Sequence, residues 1–233
     1  EYDWPMVLNC VIHRMNIDHV DKIIEMALEL GAETLELANT QYYSWAVVNR
    51  DHLLPSREQL IAAEKTTNEY RKRYGDKISI VFVVPDYYEN RPKKCMNGWG
   101  NVFLSIAPDG TALPCHTARM LPGANFPNVA DHSIKDIWYG SEGFNRYRGK
   151  GWMKEPCRSC PESDDDLGGC RCQAFLLAGD PAAADPVCDK SPDRHVVDRA
   201  IELAQATNTF PQGEQPLVFR DPKESIRLSE QQS

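Results

Sequence analysis

Seven of the eight cysteines fall between residues 95 and 188, and their spacing is the first chemical signal in the chain. Cys157-x2-Cys160 is a two-residue spacing that lets both thiolates reach one metal from a tight loop, as in zinc sites, ferredoxins and redox dithiols alike. Cys170, Cys172 and Cys188 follow it and Cys95 and Cys115 precede it, all in stretches punctuated by Gly and Pro rather than in apolar stripes. A disulfide framework belongs to short chains with a secretory signal, and this sequence of 233 residues has no apolar segment at its start. Metal binding is therefore the chemistry these residues imply. Three functions use it: an enzyme with iron–sulfur clusters, a structural zinc module for protein contacts, and a ferredoxin-like electron carrier. Cys10 stands apart in an apolar run, where a cysteine reads as a small core residue.

Composition narrows the partners. The net charge is −8, from 26 basic and 34 acidic residues, and Lys and Arg are scattered apart from short runs at 71–73 and at Arg91, Lys93 and Lys94. No nucleic acid is expected. No apolar stretch approaches the roughly 18 residues of a membrane span, so no membrane is expected either, and the chain reads as cytoplasmic.

The elements that must position the cysteines come in two styles. Residues 1–90 alternate strand and helix patterns. Met6–Ile12 is a short, apolar, β-branched run that reads as a strand buried on both faces. Val20, Ile23, Ile24, Ala27 and Leu28 recur at helical spacing, and Gly31 sits where a helix ends in a left-handed residue. Thr34–Ala38 is a second strand. Ser56 and Gln59 stand at the spacing of a reciprocal cap for a helix running to about Tyr74, and Ile78–Val84 is a third strand stopped by Pro85. The order βαβαβ predicts a parallel sheet with right-handed crossovers. Three strands are too few to close a barrel, so this part reads as the back end of a larger one.

From 91 to 206 the elements are short. Val102–Ile106 and Thr111–Leu113 flank Asp109-Gly110, a hairpin-turn signal. Ser133–Trp138 and Arg194–Ala206 read as helices, Trp99, Trp138 and Trp152 as core residues, and 207–233 as a polar, proline-containing tail.

The cysteine order resembles that of radical S-adenosylmethionine enzymes with a SPASM extension. Their pattern is a cysteine, Gly-x4-Cys, C-x2-C-x5-C-x3-C and a last cysteine. Here Cys95 is followed after fourteen residues by Gly110-x4-Cys115, then by Cys157-x2-Cys160, Cys170 and Cys188. Where the family's third central cysteine should fall stands Asp166, and Cys172 is additional. The stretch Leu37–Ala46, with Asn49-Arg50, Leu54-Pro55, Arg148-Gly149 and Trp152-Met153, is similar to the PqqA peptide cyclase family of pyrroloquinoline quinone biosynthesis.

That resemblance implies an α/β fold, the C-terminal part of a partial (β/α)6 radical SAM barrel followed by a small α+β cysteine-rich SPASM domain. It implies two auxiliary iron–sulfur clusters, one a [4Fe-4S] and the other a [2Fe-2S] or [4Fe-4S]. Cys95, Cys115, Cys170 and Cys172 would hold the first, and Cys157, Cys160, Asp166 and Cys188 the second. Asp166 could otherwise be one member of a solvated run with Asp164 and Asp165. Asn39, Gln41 and Tyr42, just past a strand's C-terminal end, would line an S-adenosylmethionine or peptide channel. His13 and Arg14 occupy a similar place after the first strand, and His116 is expected beside the ligands rather than among them. The radical [4Fe-4S] cluster's C-x3-C-x2-C motif is not in these residues and is expected in an N-terminal part outside them. The implied reaction joins a glutamate to a tyrosine of the PqqA precursor peptide, with a PqqD peptide chaperone and a flavodoxin-type reductant as partners.

Overall fold

The computed structural model describes residues 4–206 and 217–219, so most of the 207–233 tail lies outside the described residues. The chain is mixed α/β and divides into two units, residues 4–88 with 198–206 and 217–219, and residues 89–197. Among the described residues no helix is long and apolar enough to cross a membrane.

In the first unit β1 (Val7–Ile12), β2 (Thr34–Asn39) and β3 (Ser79–Val83) form a parallel sheet in the order β1-β2-β3. The first crossover carries α1 (Val20–Glu29). The second carries two single turns, α2 (Trp45–Val48) and α3 (Arg50–Leu53), and then the long α4 (Arg57–Tyr74). Ile12, Leu35, Leu37 and Ile80 from one face of the sheet share a core with Val20, Ile24 and Ala27 of α1 and Leu60 and Ala63 of α4. Cys10 packs at the edge of that core, where burial pushes its thiol up.

The sheet corrects one expectation. Among the described residues β1 pairs with β2 alone, and Val7 and Val11 are 63% and 53% exposed on the face away from α1 and α4. Asn9 Nδ2 donates to Glu36 on the neighbouring strand at 2.9 Å. A continuous apolar run does not say how many faces are covered, because both helices pack on the same side.

Helix ends follow local chemistry closely. Gly31, at φ 71°, takes the left-handed turn after α1. Ser56 Oγ accepts the Gln59 N–H at 3.2 Å while Gln59 Oε1 accepts the Ser56 N–H at 3.1 Å, so α4 opens on a reciprocal cap. Ser56→Ala should lower the unfolding free energy by about 1 kcal/mol, read from the urea midpoint, and leave metal content unchanged. A wild-type midpoint would show that the cap adds nothing.

The 89–197 unit has little regular structure. Its hairpin, β4 (Ser105–Ile106) and β5 (Ala112–Leu113), has strands of only two residues, shorter than the sequence implies. Gly110 at its turn has φ 83°, and a Cβ there would lie 2.6 Å from Asn128 Oδ1. Then come α5 (Ile134–Gly140), capped by Ser133, and three more helices: α6 (Glu142–Asn145), α7 (Ser163–Asp166) and α8 (Arg171–Ala178). A further helix, α9 (Arg194–Ala206), whose residues 198–206 belong to the first unit, buries Val197, Ala200 and Ala204 at helical spacing.

Candidate metal centres

All eight cysteines are free thiols. Seven of them, with the buried carboxylate of Asp166, lie in the 89–197 unit, around Cys170 and around Cys157. The first group is built around Cys170, which caps the start of α8 in an extended conformation. The thiols of Cys95 and Cys172 each hydrogen-bond with Cys170, which drives both far above the ordinary thiol range; burial adds to this, and the nearby Cys115 adds again. Cys115 Sγ lies 3.3 Å from Thr117 Oγ1. Cys172, two positions after Cys170, is inside the first turn of α8. The two converge because an extended N-cap turns its side chain toward that first turn.

The second group surrounds Cys157. Burial raises its thiol; the Arg171 guanidinium opposes this, while Asp166, Cys188 and Cys160 all raise it, so these three lie within electrostatic reach of Cys157. Asp166 ends α7 and is buried, whereas Asp164 and Asp165 are exposed. Its Oδ1 accepts the Gly168 N–H at 2.7 Å. Only the neighbours in the acidic run are solvated.

The residues present suit iron–sulfur clusters. Seven thiols and the buried carboxylate of Asp166 lie in this unit, and thiols are the soft sulfur donors such clusters take. Among the described residues no three His, Cys, Asp or Glu side chains close on a point the size of one metal ion. A polynuclear cluster asks for a wider set, because its ligands are spread over two or four irons.

Two residues that pattern reading passed over hold these loops. Arg171, 1% exposed between the two α8 cysteines, donates to the carbonyls of Gly168, Gly169, Pro181 and Ala183 and lies 4.4 Å over the Trp152 ring. Trp152 meets Tyr147 edge-on, and Tyr147 meets the buried Trp99 the same way, so Trp99 and Trp152 are packing residues. Trp138 likewise packs in a small core with Ile137 and Phe144. Asp185 is fully buried: Oδ2 accepts the Cys170 N–H at 2.7 Å, and Oδ1 accepts from Gln173 Nε2 at 2.8 Å and the Val187 N–H at 3.0 Å. Burial first, and then the charge of Cys170, push its carboxyl up to about 6. Gly169, at φ 77°, is required beside it, since a Cβ would fall 2.6 Å from Asp185 Oδ2 and from Pro92 Cβ. A charged residue set between two cysteines is the one sequence signal that could have singled out Arg171.

In the first unit, the strand ends place Asn39 and Tyr42 in buried positions. Asn39 Nδ2 donates to the Val83 carbonyl, but among the described residues its Oδ1 and the Tyr42 hydroxyl have no hydrogen-bond partner. Tyr42 packs 5.0 Å from Tyr87, and burial holds its phenol well above the usual range. Such orphaned polar atoms suit a polar ligand. Gln41 is exposed and does not join them. His13 is half-buried after β1, and Arg14 is tied to the backbone carbonyls of Leu54 and Ala204, a structural role. His116 packs edge-on against Phe103, with ring centroids 4.9 Å apart.

Residues 95–161 match the SPASM family, an iron–sulfur cluster-binding domain. Among solved structures the fold is similar to that of Streptococcus suis SuiB bound to S-adenosylmethionine, with a TM-score of 0.57 and 15% identity over 79% of this chain and 45% of that one. A second SuiB structure gives 0.54 and 16% over 79% and 46%. The chain thus spans less than half the length of SuiB, and at this identity the likeness is one of fold. What this chain shares with known proteins is a SPASM iron–sulfur cluster-binding match over residues 95–161, set within the fold of SuiB.

Proposed function

We propose that this chain serves a radical S-adenosylmethionine enzyme that modifies a peptide, and that its 89–197 unit holds two auxiliary iron–sulfur clusters. The observation that carries the reading is that Cys95 and Cys172 hydrogen-bond with Cys170 near Cys115, while Cys160, Asp166 and Cys188 lie within electrostatic reach of Cys157. Likeness of fold to a protein bound to S-adenosylmethionine supports it. The three parallel strands are then part of a (β/α)6 barrel, whose chemistry lies at the strands' C-terminal ends. Asn39 and Tyr42 stand there with an acceptor and a hydroxyl to offer to a ligand. Arg171 and Asp185 fix the loops that present the donors.

When bound, the clusters supply one-electron transfer, and S-adenosylmethionine supplies a radical for hydrogen abstraction. The finer reading follows the PqqA peptide cyclases: a carbon–carbon bond between a glutamate and a tyrosine of PqqA, with PqqD and a flavodoxin-type reductant as partners. Anaerobically purified full protein should carry roughly six to eight irons with matching sulfide in these two clusters. The Asp166→Ala variant should change one of them. Incubated with S-adenosylmethionine, reductant, PqqD and PqqA, the protein should lower the peptide mass by two hydrogens. Zinc without sulfide would defeat the enzyme reading. An unchanged peptide beside 5′-deoxyadenosine would defeat the substrate alone.

A further inference from the structure

Two cations touch the sulfurs of the second group. Arg91 Nη1 donates to Cys188 Sγ at 3.4 Å, and Lys190 Nζ donates to Cys160 Sγ at 3.5 Å. These sulfurs stand in for the thiolates that would ligate iron. Glu162 ties the two cations together: Lys190 Nζ reaches its Oε2 at 2.8 Å and Arg91 Nη2 reaches the same oxygen. Asp189 Oδ1 lies 3.3 Å from Arg91 Nη1. The four side chains balance in charge and keep between about a third and a half of their surface exposed.

The Cys95 group is set among different contacts. The contacts around it include Thr117, the backbone N–H of Arg171, the other thiols and, beside Cys170, the Asp185 carboxylate. The two groups thus differ both in their donors and in the charges around them.

We propose that Arg91 and Lys190 tune the cluster held by Cys157, Cys160, Asp166 and Cys188, raising its reduction potential through charged hydrogen bonds to two of its sulfurs, with Glu162 as the counterweight. The inference rests on the cluster reading above. A hydrogen bond from a cation favours the more negative, reduced cluster, and hydrogen bonds to ligand sulfurs are a recognised determinant of potential. Removing either cation also leaves Glu162 and Asp189 beside the sulfurs with less to neutralise them, so both effects have one sign. Removing the Glu162 charge acts the other way, because it frees both cations and takes away a carboxylate 3.9 Å from Cys160 Sγ.

The test uses the full protein with its clusters in place, iron and sulfide counted first, and each midpoint read by electron paramagnetic resonance during a redox titration. The relevant signal is the one that Asp166→Cys alters. Arg91→Gln and Lys190→Met should each lower the reduced-to-oxidised ratio at fixed potential about tenfold, a midpoint drop of about 59 mV for one electron. Glu162→Gln should raise the midpoint, and Arg91→Lys, which keeps a cation in place, should restore most of the Arg91→Gln loss. Opposite signs are the signature of tuning, since loosened packing would not reverse with the charge removed. Full loading with unmoved midpoints, or a drop in all three variants, would overturn the proposal while leaving the clusters intact. Wild-type protein without sulfide would overturn the cluster reading itself.

Discussion

Arg171→Met is expected to cost the 89–197 unit at least about 4 kcal/mol and to strip it of iron. The guanidinium is 1% exposed and supplies N–H donors to four backbone carbonyls in segments on either side of α8: Gly168 and Gly169 before it, Pro181 and Ala183 after it. Methionine fills much of the volume but supplies no donor, and each buried carbonyl left unpaired costs about 1–3 kcal/mol. The contact with Trp152 goes as well, worth about 2 kcal/mol where water is excluded. Because small domains are stable by only about 5–15 kcal/mol, losses of this size leave little margin. Arg171→Lys should recover less than half, since an ammonium keeps the charge but lacks the planar fork that spans several carbonyls. Urea denaturation followed by tryptophan fluorescence, with iron per chain measured in parallel, checks both. A Met variant with the wild-type midpoint and iron content would show that these carbonyls find other donors.

Asp185→Ala is the second large effect, expected at about 2–4 kcal/mol. Three donors lose their acceptor at once: the Cys170 and Val187 N–H groups and the Gln173 amide. The carboxylate thereby joins the start of α8 to the loop before Cys188, and its removal should release Cys170, around which the first donor group is built. Iron bound by that group should fall with stability. Asp185→Asn keeps the volume but offers one acceptor oxygen, and its NH2 must then face at least one of the N–H donors. It should lie between wild type and Ala in both midpoint and metal content. Equal iron in all three proteins would remove Asp185 from the support of the centre.

Features decided by near neighbours in sequence were the legible ones. The Ser56–Gln59 cap and the Gly31 turn involve partners three residues apart or a single backbone angle, so residue type alone announces them. The cysteines were legible because ligand chemistry is carried by residue type and their order is distinctive. Burial of β1 was not: Val7 and Val11 would read the same with a second covering layer, and only the placement of α1 and α4 leaves them bare. Cys170 and Cys172 have strand-like spacing, but the segment after Cys170 turns helical. Arg171, Asp185 and the Arg91–Glu162–Lys190 chain were hidden for a different reason. Arg171 and Asp185 work largely through backbone carbonyls and amides that carry no sequence signature, and Arg91 is brought to Cys188 from 97 positions away.

The donor order along the chain has a topological consequence. Cys95, Cys115, Cys170 and Cys172 bracket Cys157, Cys160 and Asp166, and the bracket 157–188 in turn encloses Cys170 and Cys172. With the ligand sets proposed above, each filled centre would be a cross-link whose loop contains ligands of the other. Closing the first loop removes conformational freedom that the second would otherwise have to surrender, so the second closure meets a smaller entropic barrier. The two centres should therefore assemble and fail together, and a protein that has lost one will release the other more readily than its own ligands alone would dictate.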